Sequence, residues 1–363
     1  MKIIARILVF NALIAGAASS QTSAAATTAS AGKEAIFDVR QTVVLKEIPR
    51  GTRNVRLWIS IPDDDSAQRV LNFSVVSAPG TWRAVRDRDQ GNRFLYMEVA
   101  NPDSDSLTNI VDFCIRRQAV FYGLAPVTAG ALSESQKRFF AEELRPDAPH
   151  MEVTDVIRKL ADDVCGPETN LVLQASKLLD YVSTHTAHYS KDPSKPRCSV
   201  GDAGSCLASG GGCCTDIHSL FIALARARGI PARLQMGYRL QSQNAGVEAD
   251  PGYRCWVEYF IPGYGWVPAD IVEASAADAE GRVRWFSGLN ERRVHLNEGR
   301  EFELSPKQNG SRVNTMVMGY AEIDGVPARI LPEGDKKPQL TRTVTYTERT
   351  EKHPLPQLRL NGN

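Results

Sequence analysis

Gly210-Gly-Gly-Cys-Cys-Thr-Asp-Ile-His-Ser-Leu-Phe221 places a cysteine at the mouth of an amphipathic helix, directly behind three glycines. From Thr215 onward Ile217, Leu220, Phe221, Leu224 and Ala225 recur at helical spacing, which predicts one face packed into a core. Gly229 ends that helix, and Ile230-Pro231 forces an extended exit. Cys214 therefore falls in the first turn, where unpaired backbone N–H groups and the helix dipole favour a thiolate. The same N–H groups can receive an oxyanion. A thiol so placed reads as a nucleophile. The glycines read as flexibility ahead of it, because no Lys-Ser/Thr follows to make a phosphate loop. Asp216, two residues on, favours the positive end of the helix dipole.

Outward from this helix the pattern changes on both sides. Residues 232–240, 255–261 and 266–269 read as strands, with Gly263-Tyr264-Gly265 as the turn between the last two. Residues 282–286 and 340–348 read as further strands. Three helical segments precede the cysteine, at residues 134–144, 153–164 and 170–184, and residues 192–212 read as loop. Residues 35–122 are β in pattern. The stretch 55–61 alternates with period two and stops at Pro62, and 73–76, 94–99 and 110–115 continue in kind. Strands and helices segregated in this way predict the α+β class.

The first residues have the form of a secretion signal. Lys2 and Arg6 open it, a short apolar run follows, and Ala15-Gly16-Ala17 offers a cleavage site. We assign residues 1–20 to the signal and the Ser/Ala/Thr-rich residues 21–34 to a disordered lead-in. The apolar run is too short for a membrane span. A periplasmic or secreted protein is the expectation. Removing Lys2 and Arg6 takes the formal charge from +1 to −1. With no dense basic run, neither nucleic acid nor an anionic membrane is an expected partner. Seven cysteines in an oxidising compartment leave at least one free. Cys198 and Cys206 flank a loop and could bridge, or either could reach Cys213. His185-Thr-Ala-His188 has no standard zinc spacing, so no metal and no other cofactor is expected.

These blocks resemble the bacterial transglutaminase-like proteins of the papain-like superfamily. Cys214-Thr-Asp-Ile-His-Ser-Leu-Phe221 and Arg226-Ala-Arg-Gly-Ile-Pro-Ala-Arg233 are similar to the family's nucleophile helix and the strand after it. Cys255-Trp-Val-Glu-Tyr-Phe-Ile-Pro-Gly-Tyr-Gly-Trp-Val-Pro-Ala-Asp270 is similar to its second and third catalytic blocks. Weaker likeness continues through Arg293-Val-His-Leu-Asn-Glu-Gly-Arg300. The resemblance implies a papain-like transglutaminase core over residues 126–330, a nucleophile helix packed on an antiparallel sheet. An N-terminal β-sandwich-like domain at 35–125 would precede it, and a C-terminal strand and loose tail at 331–363 would follow. It implies Cys214 as nucleophile and Asp270 as the residue that orients the base. The base itself should be a histidine two residues before Trp256, where this chain has Arg254.

That departure decides the expected function. Arginine stays protonated and has no acceptor, so it neither takes the thiol proton nor returns one to a leaving amine. It would favour the Cys214 thiolate by charge and could fork onto Asp270. This implies a catalytically degenerate protein that holds a peptide or protein in its cleft. The alternative is an active thiol peptidase or amide acyl-transferase using Cys214, Asp270 and a relocated base. A third reading is redox or ligand sensing by an exposed thiolate. His218, one helical turn beyond Cys214, and His188, at the end of the preceding helix, are the histidines to consider. Packing is the simpler role for His218. His150, His185, His295 and His353 read as surface or packing residues. Cys255 alternates with Arg254 and should point to the opposite face of the strand.

Overall fold

The computed structural model describes residues 30–123, 129–197, 200–247, 253–316, 318–333 and 335–349. The expected signal, Cys198 and the tail with His353 lie outside the described residues. In chain order come β1 (Ser30–Leu45), β2 (Asn54–Ser60), β3 (Gln68–Ser77), β4 (Thr81–Arg86), β5 (Arg93–Ala100) and β6 (Leu107–Phe121). Helices α1 (Glu134–Phe139), α2 (Asp155–Cys165) and α3 (Leu171–His185) follow, then β7 (Ala187–His188), α4 (Ala203–Ser209), β8 (Gly211–Gly212) and α5 (Cys214–Ala227). Next are β9 (Ala232–Arg239), β10 (Arg254–Ile261), β11 (Gly265–Ala269), α6 (Ile271–Ser275) and α7 (Ala279–Phe286). The chain closes with β12 (Gly288–Leu289), β13 (Arg293–Glu298), β14 (Tyr320–Ile323), β15 (Val326–Pro327) and β16 (Leu340–Glu348).

The class is α+β, with three antiparallel sheets supplying the framework. One runs β12-β6-β1-β16, with β3 also on β6; a second runs β15-β14-β2-β5-β4; the third, in the core, runs β11-β10-β9-β13. Alternation explains the sandwich. Val55, Leu57 and Ile59 on β2 share one buried cluster with Phe37, Val39 and Phe113 of the facing sheet. Trp58, on the other face of β2, is buried with Phe94, Tyr96, Phe302 and Tyr320. The strands that follow the core thus return to the N-terminal sheets, β14 onto β2 and β16 onto β1.

Helix α5 is buried from Cys214 to Arg226. It lies on β9 and β10, with α2, α3 and α4 packed against it. Phe221 meets Tyr259 edge-on with ring centroids 5.9 Å apart. The helix stops where the sequence predicts, and Arg226 holds the stop in place. Its buried guanidinium donates to the Ala232 carbonyl at 2.9 Å and to the Arg145 carbonyl at 3.1 Å. That clamp spans Gly229, Ile230 and Pro231 and fixes the entry into β9.

Three expectations need correction. β1 begins at Ser30, inside the stretch assigned to a disordered lead-in, because it pairs with β6 from Ser30 opposite Phe121 onward. Residues 282–286 are helical, not a strand. The Asp278 carboxylate accepts from the Gly281 N–H at 2.8 Å and starts α7, leaving Val283 exposed and Phe286 buried. The loop at 192–212 contains α4 and β8, since Asp202 caps α4 by accepting from the Ser205 N–H at 2.7 Å.

Candidate active site

Asp216 builds the start of α5. One carboxylate oxygen accepts from the Cys213 N–H at 2.8 Å, and the other accepts from the Asp202 N–H at 2.9 Å. The cap of α5 is thereby tied to the cap of α4, more than the dipole interaction the sequence implies. Cys213 is disulfide-bonded, while Cys206 is free and buried. Cys214 follows, only 4% exposed. Cys255 and His188 lie near its sulfur, and their interactions with the thiolate, that of Cys255 the largest, outweigh burial and hold the Cys214 thiol well below its ordinary value of 9.0. The other free cysteines behave oppositely. Burial pushes Cys114 and Cys206 up to about 12 and raises Cys165 and Cys255.

His188 reaches the sulfur through a two-residue strand. β7 pairs in parallel with β8, Ala187 opposite Gly211 and His188 opposite Gly212, immediately before Cys214. The Tyr189 N–H donates to the Gly212 carbonyl at 2.8 Å and the Ala187 N–H to the Gly210 carbonyl at 3.1 Å. A Cβ at Gly211 would lie 2.1 Å from the Ala187 carbonyl oxygen. The glycines ahead of the nucleophile therefore serve close approach, not the flexibility expected from sequence. Ser190 then fixes the ring. Its N–H donates to His188 Nδ1 at 3.2 Å, and its hydroxyl lies 2.8 Å from the same nitrogen. Nε2 is left for the sulfur.

The face of β10 toward α5 carries Cys255 and Tyr259. Cys255 Sγ lies 3.2 Å from His218 Nδ1 and 3.7 Å from Thr215 Oγ1. His218 is fully buried, its Nε2 accepting from the Ile271 N–H at 3.1 Å and lying 3.7 Å from Asp270 Oδ1. Burial lowers the His218 pKa and keeps the ring neutral. Asp270 ends β11 and caps α6, accepting from the Glu273 N–H at 3.1 Å. Burial alone would raise its carboxyl. The Arg293 guanidinium, 2.8 Å away and itself wholly buried, reverses the direction and holds it below the ordinary range.

Arg254 does not make the contacts expected of it. Among the described residues its side chain has no hydrogen bond or ion pair with Cys214 or Asp270, and it acts on both through charge alone. The reason is the phase of the strand: Cys255 points at α5, so Arg254 points to the other face. The ion pair with Asp270 comes instead from Arg293 on β13, through Nη2 alone, within a segment that the sequence marked only as a weak likeness. His150 lies 3.1 Å from Glu301, His295 lies 3.0 Å from Asp65, and His185 stacks on Tyr181, all apart from this site.

Residues 158–271, from α2 through Asp270 to the first residue of α6, match the family model described as the transglutaminase-like superfamily. Over these residues the chain is similar to the transglutaminase-like superfamily. An uncharacterized protein of Haemophilus influenzae is 25% identical over 329 residues, covering 80% of this chain and 87% of its own length. The solved structure of a proposed cysteine protease from Cytophaga hutchinsonii aligns over 87% of this chain and 99% of its own. At 15% identity and a TM-score of 0.55 that likeness is one of fold. The periplasmic domain of TgpA from Pseudomonas aeruginosa aligns over 66% of this chain and 90% of its own, at 18% identity and a TM-score of 0.31. Among the described residues no helix is long and apolar enough to cross a membrane.

Proposed function

We propose that this chain is a thiol-dependent acyl-transfer enzyme of the periplasm, acting on peptide amides, with Cys214 as nucleophile and His188 as general base. The observation that carries this reading is the pairing of β7 with β8, which sets His188 opposite Gly212, two residues before Cys214, where it helps lower the thiol's pKa. Ser190 supports both states of the ring. The Ser190 N–H on Nδ1 keeps the resting proton on Nε2; to take the Cys214 proton the ring holds its proton on Nδ1 instead, donating it to the Ser190 hydroxyl oxygen. The sulfur then bonds to the amide carbonyl carbon, the C–N bond breaks, and Nε2–H returns its proton to the departing amine. The resulting thioester passes to water in a peptidase or to an amine in an acyl-transferase. Asp270 in this reading acts from behind, by neutralising Arg293 and capping α6.

A second reading, a catalytically degenerate peptide-binding domain, is favoured by Arg254 in the histidine's place. One experiment separates the two. The purified mature chain is offered peptide amides from a denatured protein, with and without a fluorescent primary amine. Release of new amino termini or incorporation of the amine, lost in both Cys214→Ala and His188→Asn, supports the enzyme. Absence of both, with Cys214 still open to alkylation, supports the binding domain.

A further inference from the structure

The proposed chemistry uses Cys214 and His188 but leaves the polar groups buried around the start of α5 without a task. Their hydrogen bonds have a direction that can be read atom by atom. The Ile271 N–H, aimed by the Asp270 cap on α6, donates to His218 Nε2 at 3.1 Å. A nitrogen that accepts carries no proton, so the neutral ring holds its hydrogen on Nδ1 and donates it to Cys255 Sγ, 3.2 Å away. The Thr215 hydroxyl donates to the Tyr253 hydroxyl at 2.7 Å, so its oxygen accepts the Cys255 S–H across 3.7 Å. Cys213 Sγ lies 3.4 Å from the Tyr253 oxygen, and a sulfur in a disulfide carries no hydrogen, so the phenol donates in that contact. Burial holds the Tyr253 hydroxyl above its ordinary value, and it keeps the hydrogen that this bond needs.

The last two contacts bracket the nucleophile. Cys213 and Thr215 are the residues on either side of Cys214, and one phenolic oxygen touches both. Tyr253 stands just before β10, so the turn that carries the thiol is tied through it to the core sheet. Thr215 is held on its other branch as well, because a Cβ at Gly201 would lie 2.4 Å from its methyl carbon, and only glycine fits there. We propose that Tyr253 is a positioning residue for the nucleophile: its hydroxyl holds Cys213 and Thr215 together and fixes the turn that presents Cys214. This rests on reading Cys214 as the nucleophile, but it does not require His188 to be the base.

The test is local hydrogen exchange in the full mature chain, read by mass spectrometry on peptides covering residues 211–221. Tyr253→Phe keeps the ring and removes the hydroxyl, and exchange in the first turn of α5 should quicken by about fivefold or more, the worth of one net hydrogen bond. Thr215→Val keeps the shape, removes the donor and carries the same expectation, and it decides the matter should Tyr253→Phe not fold. Thr215→Ser keeps the hydroxyl and should stay within about twofold of the parent. Where the parent turns over peptide amides, kcat in Tyr253→Phe should fall about tenfold with KM within about twofold, because a displaced thiol weakens the transition state and not substrate binding. Unchanged exchange in the variants without the bond overturns the proposal. So does a Ser variant that shifts as far as Val, or a kcat that holds at the parent's value while exchange quickens. Absence of amide turnover in the parent would count against the enzymatic reading alone, because exchange is read without substrate.

Discussion

The two faces of β10 have opposite characters, although they alternate residue by residue along eight positions. Toward α5 the strand presents Cys255, Val257 and Tyr259, all wholly buried, to the nucleophile helix and its histidine. On the other face Trp256 meets His295, and Glu258 accepts from Arg233 at 2.7 Å and Gln235 at 2.9 Å. Phe260 on that face packs on Phe140 and Trp266. The first face is dry, with Cys255 set against His218 and Thr215. The second is a layer of rings and ion pairs, and by alternation Arg254 falls on that side. A residue can therefore stand in the sequence position of a catalytic base and still face the wrong way to act as one.

The strongest way to break this comparison is to remove the histidine that neither face of β10 supplies. His188→Asn should lower amide turnover by about three orders of magnitude, the usual loss for a general base. Its thermal midpoint should change little, because the strand pairing of β7 with β8 is backbone. Turnover that survives in His188→Asn would move the base to another group and reopen the role of His218. The second largest effect should come from Asp270→Asn. The amide keeps the cap on Glu273 but leaves Arg293 buried with only the more distant Glu273 carboxylate, at 3.6 Å, as counter-charge, and Arg293 Nε and Nη1 already lack hydrogen-bond partners. A loss of about 3 kcal/mol in urea unfolding is expected from breaking a buried pair on one side.

Much of this was legible in the sequence, for local reasons. The spacing from Thr215 to Ala225, the glycine at 229 and the Ile-Pro exit fix α5 and its stop, because each acts within a few residues. Cys214 was marked by the same local signals, and Asp270 only by the resemblance of residues 255–270 to the family's blocks. The phase of β10 was not legible: alternation says that Arg254 and Cys255 part company, but not which of them meets α5. His188 was hidden because its place depends on a two-residue parallel pairing across the intervening α4 segment. Its only signal was the run of three glycines, which meant close backbone approach. Arg293 was hidden because its partner lies on another strand. The strand expected at 282–286 failed because one side-chain cap at Asp278 outweighed a short alternation.

A smaller effect sharpens the contrast through pH. His218 is neutral and buried, so its folded pKa lies below the ordinary 6.5 of the unfolded chain. Below pH 6.5 the unfolded chain binds a proton that the native protein refuses, and stability falls as the pH drops. Cys214 contributes in the same direction, because its folded thiol also ionises below its unfolded value of 9.0. In Cys214→Ala that contribution is gone. Below pH 6.5 His218 should then make unfolding free energy fall as the pH drops, by at most about 1.4 kcal/mol per pH unit. A flat profile would mean that the ring accepts a proton in place, and the donor direction toward Cys255 would be lost with it.

The smallest expected effect belongs to the residue that sequence comparison made most conspicuous. Arg254 faces away from α5 and, among the described residues, has no hydrogen bond or ion pair to lose. Arg254→Ala should change unfolding free energy by no more than about 0.5 kcal/mol, as for other substitutions away from a packed or paired group. Its charge does reach Cys214, favouring the thiolate from a distance, so the alkylation midpoint should rise by a few tenths of a pH unit at low salt. Added salt should erase that difference, because a charge acting from a distance is screened. Arg254→His would carry the family's residue but on the far face, and turnover should stay within about threefold of the parent. A large gain in turnover from Arg254→His would show that the strand can present this position to Cys214, and the division between the two faces of β10 would fail.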